Sequence, residues 1–113
     1  MKNPVLTSGE VVAATGGTLI KGHPDGIFKG LTTNSRDVVQ GKLFIPLIGE
    51  RFDGHDFIPE AMKKGAAGLL IKRRAHTITE NMPDAISVIL VNDTLRALGD
   101  IAGMWRNRFS IPV

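Results

Sequence analysis

Three short apolar runs give the chain its strongest pattern. Residues 66–71 and 86–91 are uncharged and rich in Ala, Leu, Ile and Val, which is typical of strands buried on both faces of a sheet. A third run, residues 43–48, lies between two glycines and contains Pro46. Because proline cannot donate a hydrogen bond to a neighbouring strand, this strand is predicted to lie at a sheet edge, to bulge or to end near Pro46.

The first two helices are predicted from the residues at their ends. Thr7 and Glu10 have the spacing of a capping box, in front of an apolar segment that stops at Gly16. Residues 57–65 have a proline near the start, lysines near the end and a terminal glycine, and Asp56 is the expected N-cap. Since this helix separates two of the apolar runs, the sequence predicts a strand, helix, strand unit.

The last part of the chain predicts a longer amphipathic helix. It starts at Asn92 or Asp93, and its predicted inner face carries apolar residues at helical spacing: Leu95, Leu98, Ala102, Trp105 and Phe109. We interpret that face as a packing surface and not as a cofactor site.

The remaining segments are short or polar. Residues 18–20 and 27–33 flank a turn rich in Gly, Pro and Asp, and this arrangement favours two brief strands joined as a hairpin. Residues 75–83 are predicted to form a polar loop. Residues 110–113 form an apolar, strand-like stub directly after the last helix, so we expect the chain to be the front piece of a longer protein.

Length and composition fit one globular domain over residues 1–113. Hydrophobic residues make up 42% of the chain and charged residues 22%. No run approaches the roughly 20 apolar residues of a membrane helix, and no apolar signal segment follows the first methionine. The absence of cysteine excludes disulfides and thiolate metal sites. We therefore expect a cytoplasmic protein.

A small excess of positive charge leaves nucleic-acid binding as an alternative. The chain has 14 Lys and Arg against 11 Asp and Glu, a formal net charge of +3, with basic clusters at residues 72–74 and 106–108. None of the five Phe and one Trp alternates with these clusters in a stacking pattern. A basic RNA-binding module is therefore an alternative, and no nucleic-acid partner is expected.

Few residues in the chain are suited to catalysis. The imidazoles are His23, His55 and His76, and residues 53–56 place two carboxylates beside His55. That spacing matches no metal-ligand motif, and such a run more often caps a helix, so no metal site is predicted. The sequence has neither the GxxxxGK(S/T) pattern of an ATP loop nor the GxGxxG pattern of a dinucleotide loop. We assign no catalytic residue and expect no turnover by this chain alone.

Two polar loops after predicted strands form the candidate binding site. Residues 33–36 place hydroxyls beside Arg36, which suits a ligand with carbonyl or phosphate oxygens. Residues 49–54 contain two glycines that let a ligand approach the backbone, and Phe52 offers a flat apolar face. The structural alternative pairs Arg36 with Asp53 and puts Phe52 in the core. Spacing alone does not decide between the two interpretations.

The same segments resemble the N-terminal domain of the Mur ligases. The matching motifs are residues 33–36 (TNSR), 41–49 (GKLFIPLIG), 53–57 (DGHDF) and the step from Ala61 to Ala66. The match is ordered and covers nearly all of the chain. It implies a small three-layer α/β/α domain, with a mixed sheet and three main helices, that binds the UDP part of a peptidoglycan precursor.

Within the family, residues 50–57 and 91–99 are most similar to ligases that add D-alanyl-D-alanine to UDP-N-acetylmuramoyl-tripeptide. Ligases that add the third amino acid to the UDP-N-acetylmuramoyl dipeptide are the near alternative. The resemblance implies ATP and Mg²⁺ as cofactors of the complete enzyme, with none held by this chain. A regulatory domain like that of the bacterial HPr kinase is a weaker alternative, because it rests on fold analogy alone.

Carried over position by position, the resemblance implies substrate contacts in both loops: Thr33, Ser35, Arg36, Glu50, Arg51 and Phe52. The sequence departs from the family pattern at Asn34, where Asp is usual, and this removes a charge that would otherwise pair with Arg36. Gln40 and Lys42 replace the usual Pro and Asp around Gly41, a change expected to alter only a surface turn.

Overall fold

The computed structural model describes residues 6–37, 40–73 and 86–109 and places a mixed sheet between two helical layers. In chain order the strands and helices are β1 (Leu6–Thr7), α1 (Ser8–Thr15), β2 (Thr18–Lys21), β3 (Ile27–Phe28), β4 (Leu31–Thr32), β5 (Leu43–Phe44), α2 (Ile58–Lys63), β6 (Gly68–Lys72), β7 (Ser87–Val91) and α3 (Thr94–Phe109). Two 3₁₀ turns, Ser35–Asp37 and Gly54–Phe57, precede β5 and α2. The predicted loop at 75–83 and the stub at 110–113 lie outside the described residues.

Four parallel strands form the frame of the domain. The sheet order is β2-β7-β6-β5-β4, in which β4 to β7 are parallel and β2 is antiparallel at one edge. A separate antiparallel pair joins β1 to β3. Since β5, α2 and β6 follow one another along the chain and β5 lies parallel to β6, the predicted strand, helix, strand unit is confirmed.

Alternate residues of the central strands face opposite helical layers. In β6, Leu70 packs in the cluster that contains α1 and α3, whereas Leu69 and Ile71 pack with α2. In β7, Ile89 packs in the cluster with α1 and α3 and Val88 packs with α2, as the two-residue period of a strand requires. All five side chains are fully buried. The predicted three-layer α/β/α architecture is therefore confirmed.

The predicted helix caps of α1 and α3 are confirmed. Thr7 Oγ1 accepts the backbone N–H of Glu10 at 3.1 Å, and Glu10 Oε1 accepts the backbone N–H of Thr7 at 2.9 Å, which completes the capping box. Gly16 ends α1 with φ 70°, in the left-handed region that favours glycine. Of the two predicted starts of α3, Asp93 is the capping residue, because its Oδ1 accepts the backbone N–H of Leu95 at 2.9 Å.

The predicted hairpin is wrong. β2 pairs with β7 and β3 pairs with β1, so the two strands do not meet. β7 has five residues and β3 has two, so β7 offers β2 the longer edge of backbone hydrogen-bonding groups. The run at 43–48 also forms a shorter strand than predicted, because the chain leaves the sheet before Pro46. The strand end, one of the three predicted roles of Pro46, is the one that the structure adopts.

The predicted N-cap of α2 is also wrong. The 3₁₀ turn Gly54–Phe57 runs directly into α2, and the N-cap position is held by Phe57, which makes no side-chain capping bond. Asp53, rather than Asp56, caps the 3₁₀ turn by accepting the backbone N–H of His55.

The buried face of α3 is rotated from the predicted one. Ala97 and Ile101 are buried, whereas Leu95 is 65% exposed and Ala102 is also exposed. Leu95 precedes Ile101 by six residues, which places it about 120° away around the helix, outside the face that Ile101 defines. Leu98 and Trp105 flank that face and are partly buried against the core. Neither α3 nor another described helix is long and apolar enough to cross a membrane.

Gly68 is expected to be intolerant of a side chain. A methyl group at Gly68 would lie 2.4 Å from Phe28 Cε1, and Phe28 is only 1% exposed. We expect Gly68→Ala to lower the free energy of unfolding by about 1–3 kcal/mol, because the ring can move only by straining the core. The control is Gly99→Ala in α3, where the added carbon meets nothing within 4 Å and the helix gains up to about 1 kcal/mol. Denaturant unfolding measures both variants, and equal stability changes would contradict the expectation.

Candidate functional site

The two predicted loops meet at the carboxyl edge of the sheet. β4 and β5 are parallel neighbours, with Thr32 paired to Phe44, so both strands end at the same edge. The loop after β4 begins at Thr33, and the loop after β5 runs from Ile45 to the 3₁₀ turn before α2. This edge is where open α/β sheets usually bind ligands.

A cavity of about 520 Å³ lies between these loops and the start of α2. Its lining residues come from the first loop, the end of β5, the second loop and α2: Thr33, Asn34, Ser35, Arg36, Phe44, Phe52, Gly54, Phe57 and Glu60. The volume is in the range of small-molecule sites. Of the six predicted site residues, the structure thus brings four to one cavity: Thr33, Ser35, Arg36 and Phe52.

Local hydrogen bonds hold the first loop. Thr32 Oγ1 accepts the backbone N–H of Asn34 at 3.1 Å, and Asn34 Oδ1 accepts the backbone N–H of Arg36 at 2.9 Å. This is the turn that short polar side chains form with the backbone two residues ahead. An Asp oxygen accepts the same bond, so the departure from the family pattern at Asn34 leaves this turn intact and removes only a charge.

A hydroxyl and a carboxylate join the first loop to α2. Ser35 is buried, and its Oγ donates a hydrogen bond to Glu60 Oε2 at 2.7 Å. Lys64 Nζ lies 3.6 Å from Glu60 Oε1 and donates to the carbonyl oxygen of Arg36 at 3.1 Å. The hydrogen bond from Ser35 holds the pKa of Glu60 below its ordinary value of 4.5; partial burial opposes this, and the charges of Lys64 and Arg36 add to it.

The second loop turns back on itself below the cavity. Ile48 and Asp53 form an antiparallel bridge, and the backbone N–H of Gly49 donates to the carbonyl of Phe52 at 2.8 Å. A side-chain carbon at Gly49 would lie 2.6 Å from Phe52 Cε1, so the ring packs directly over this glycine. Phe52 is 56% exposed, and the alternative that it fills the core is therefore wrong.

Glu50 and Arg51 occupy the tip of this turn. Both are exposed and neither is among the residues that line the cavity. Of the predicted site residues, these two are therefore not brought together with the other four.

His55 fixes the second loop to the sheet. Its ring is buried, and Nδ1 lies 2.6 Å from Asp53 Oδ1, so the carboxylate sets Nδ1 as the donor. Nε2 then accepts the backbone N–H of Lys72, at the end of β6, at 3.1 Å. Both ring nitrogens have protein partners, which supports the structural interpretation of residues 53–56. Among the described residues, no three side chains of His, Asp or Glu come together to hold a metal ion.

Sequence reasoning missed three side chains of the cavity, Phe44, Phe57 and Glu60. Phe44 is the last residue of β5, so its position at the carboxyl end of a strand was a usable signal. Phe57 and Glu60 are three residues apart at the start of a helix, a spacing that places two side chains on one face. The sequence analysis assigns Phe57 to the DGHDF motif and to a helix, and Glu60 to a helix, but neither to the binding site.

A larger cavity, of about 660 Å³, lies between β4 and α3. Its lining is mostly apolar and includes Trp105, with Lys29, Lys42 and Arg106 as the cationic members. None of the six predicted site residues lines it, so we do not assign the candidate site to it.

Comparison with known proteins identifies a family. Residues 27–106 match the model described as "Mur ligase family, catalytic domain". A UDP-N-acetylmuramoyl-tripeptide–D-alanyl-D-alanine ligase from Synechocystis is 42% identical over 83 residues, which are 74% of this chain and 17% of that protein. Ligases named for 2,6-diaminopimelate also match, at 43% and 37% identity.

Solved structures of such ligases share the fold. A UDP-N-acetylmuramoylalanyl-D-glutamyl-2,6-diaminopimelate–D-alanyl-D-alanyl ligase from Acinetobacter baumannii matches with a TM-score of 0.78 at 26% identity, over 97% of this chain and 23% of that one. A MurF ligase from Thermotoga maritima in complex with ADP matches with a TM-score of 0.57 at 34% identity, over 71% of this chain and 17% of that one. This chain thus spans less than a quarter of the length of each of these relatives.

The charge of Glu60 is expected to stabilise the fold in a pH-dependent way. Because the pKa of Glu60 is lowered in the folded chain, its charge stabilises the fold at pH values above 4.5, the ordinary pKa. This contribution is lost as the pH falls through the lowered pKa of the folded chain. Glu60→Gln keeps an acceptor for Ser35 but has no charge. The stability gap between the wild type and Glu60→Gln, measured by denaturant unfolding, is therefore expected to narrow on acidification.

The control is the same pair in a Ser35→Ala background. There the main cause of the lowered pKa is gone, so both the gap and its pH dependence are expected to shrink. A gap that is constant or that widens as the pH falls would contradict this account of Glu60.

Proposed function

The chain belongs to the Mur ligase family, as its motifs predict, and we propose that it is the N-terminal domain that binds the UDP end of UDP-N-acetylmuramoyl-tripeptide. The observation that supports this most directly is the single cavity that gathers Thr33, Ser35, Arg36 and Phe52 from two separate loops. In a longer ligase, the tripeptide end of this substrate would receive D-alanyl-D-alanine. The cytoplasmic location predicted from the sequence is part of the proposal.

The chemistry of the cavity suits a nucleoside diphosphate. Phe44, Phe52 and Phe57 line it, and the last two are 56% and 44% exposed, so a planar base would cover apolar surface there. Arg36 supplies the guanidinium, which pairs with phosphate oxygens in a planar, two-bonded geometry. Glu50 and Arg51, at the tip of the second loop, are then placed to meet parts of the substrate that extend beyond the cavity.

The role of the domain is to anchor the substrate at a distance from the reaction. In the longer protein we infer that ATP activates the terminal carboxylate of the peptide as an acyl phosphate, and that the amino group of D-alanyl-D-alanine displaces the phosphate. Binding at the remote nucleotide then helps to orient the reacting carboxylate. The described residues offer no cluster that fits Mg²⁺, so we derive no metal-dependent step for this chain. We expect the 113-residue chain alone not to hydrolyse ATP.

The ligases that add the third amino acid remain the alternative within the family. Relatives named for 2,6-diaminopimelate match a comparable share of the chain. Both classes would use the same UDP end, so binding of that end does not separate them. Turnover by the longer protein with the tripeptide or the dipeptide substrate decides between the two.

Arg36 is expected to be the main cationic contact of the diphosphate. NMR titration of the 113-residue chain should give tighter binding of UDP than of ADP, with shifts at residues 33–36 and 49–57. Arg36→Gln is expected to weaken the binding of UDP by about 1–3 kcal/mol and to change the binding of uridine little, because only UDP carries the phosphates. Arg51→Gln is expected to have a smaller effect, because Arg51 does not line the cavity.

Arg96→Gln is the matched control, because Arg96 is an exposed arginine on α3 that does not line this cavity. It is expected to leave UDP affinity unchanged. Equal losses in the Arg36 and Arg96 variants, or UDP shifts centred on Trp105 and the larger cavity, would refute the proposed site.

A further inference from the structure

The Ser35–Glu60 pair gives one wall of the cavity a defined hydrogen-bonding polarity. A serine hydroxyl has one proton to donate, and that of Ser35 is committed to Glu60 Oε2 at 2.7 Å. Ser35 Oγ can therefore only accept further hydrogen bonds. An ionised carboxylate also only accepts, so the pair presents acceptors and no donor to a ligand in the cavity.

Glu60 stays available to a ligand despite this bond. Its side chain is 43% exposed, and the described partners of its carboxylate are Ser35 on one oxygen and, at 3.6 Å, Lys64 on the other. Two carboxylate oxygens have about four acceptor positions, so unused ones remain. Arg36, unlike Glu60, has no oppositely charged partner among the described residues, because none of their carboxylates lies within 4.0 Å of its guanidinium.

Building on the proposed nucleotide site, we infer that the Ser35–Glu60 pair selects a neutral hydrogen-bond donor of the ligand and directs the phosphates towards Arg36. A phosphate beside Glu60 would meet a like charge and an acceptor where it needs a donor. A neutral N–H or O–H group meets the acceptors that it needs. This replaces the simpler expectation that every hydroxyl of the first loop binds ligand oxygens.

In a uridine nucleotide this donor chemistry has two sources, the imide N–H of the base and the ribose hydroxyls. Phe52 and Phe57 line the same cavity as Glu60, so a base held by the rings lies within the same enclosure. Either the imide N–H or a ribose hydroxyl can donate to the Ser35–Glu60 pair, and nucleoside analogues that lack one of these donors distinguish them.

The test compares nucleosides that differ by one donor. NMR titration of the wild-type chain with uridine, 3-methyluridine, 2′-deoxyuridine and 3′-deoxyuridine is expected to show about tenfold weaker binding for the analogue that lacks the selected donor. Loss with 3-methyluridine identifies the base N–H, and loss with a deoxyuridine identifies a ribose hydroxyl. Equal affinity for all four nucleosides would overturn the inference and leave the proposed site standing.

Glu60→Gln tests the polarity itself. Gln keeps the shape and an acceptor for Ser35 but points an amide donor outwards, so it is expected to bind uridine about tenfold more weakly and to lose the discrimination. Asp100→Asn is the matched control, a carboxylate-to-amide change in α3 outside this cavity, and should retain it. If Glu60→Gln discriminates like the wild type, the inference is overturned; if that variant does not fold, the wild-type analogue series decides.

Inorganic diphosphate provides an independent readout. It is expected to shift the Arg36 Nε–H resonance of the wild type more than the backbone amide of Glu60. Larger shifts at Glu60 than at Arg36 would overturn the inferred polarity. Failure of the proposed function has a different signature: neither UDP nor any nucleoside would shift a residue of the cavity, and both proposals would then be rejected together.

Discussion

The parallel pairing of β5 between β4 and β6 is the constraint on which the rest of the site depends. β5 contributes only Leu43 and Phe44, yet both pair on each side, with β4 residues and with Gly68 and Leu69 of β6. Both side chains are buried on opposite faces of the sheet, so a shift of one residue would turn each towards the wrong layer. With that register set, β4 and β5 end at the same edge, and their loops must meet there.

Polar contacts then shape the two loops into walls. Thr32 and Asn34 close the first loop through their own backbone neighbours, which needs no distant partner. Two longer connections fix the loops to the frame: Ser35 to Glu60 in α2, and His55 to the end of β6. The candidate site is therefore preorganised by these paired side chains, and the exposed rings, Arg36 and the unused acceptor positions of Ser35 and Glu60 are left for a ligand.

Local signals predicted the elements whose causes are local. The capping box of Thr7 and Glu10 and the buried runs of β6 and β7 depend on neighbouring residues, and they form as expected. The predictions for the partner of β2 and for the buried face of α3 were wrong, because both depend on competition among surfaces that are distant in sequence. Leu95 fits the helical period of the predicted stripe, but the packing of α3 selects the face of Ile101 instead.

The candidate site shows the same division. Residues 33–36 and Phe52 were predicted because they follow strands in polar, glycine-rich segments and match family motifs. Glu60 and Phe57 were missed because helix α2 reaches the cavity only through the strand, helix, strand crossover, which sequence spacing does not position. Glu50 and Arg51, adjacent to Phe52 in sequence, do not line the cavity because the bond between Gly49 and Phe52 closes a tight turn and leaves these two residues at its tip.

Intermolecular NOEs can locate the base of bound UDP and so decide which of the two cavities holds it. We expect NOEs from the uracil H5 and H6 protons to ring protons of Phe52 or Phe57, at the carboxyl edge of β4 and β5. NOEs to the indole of Trp105, in the larger cavity between β4 and α3, with none to these two rings, would contradict this expectation.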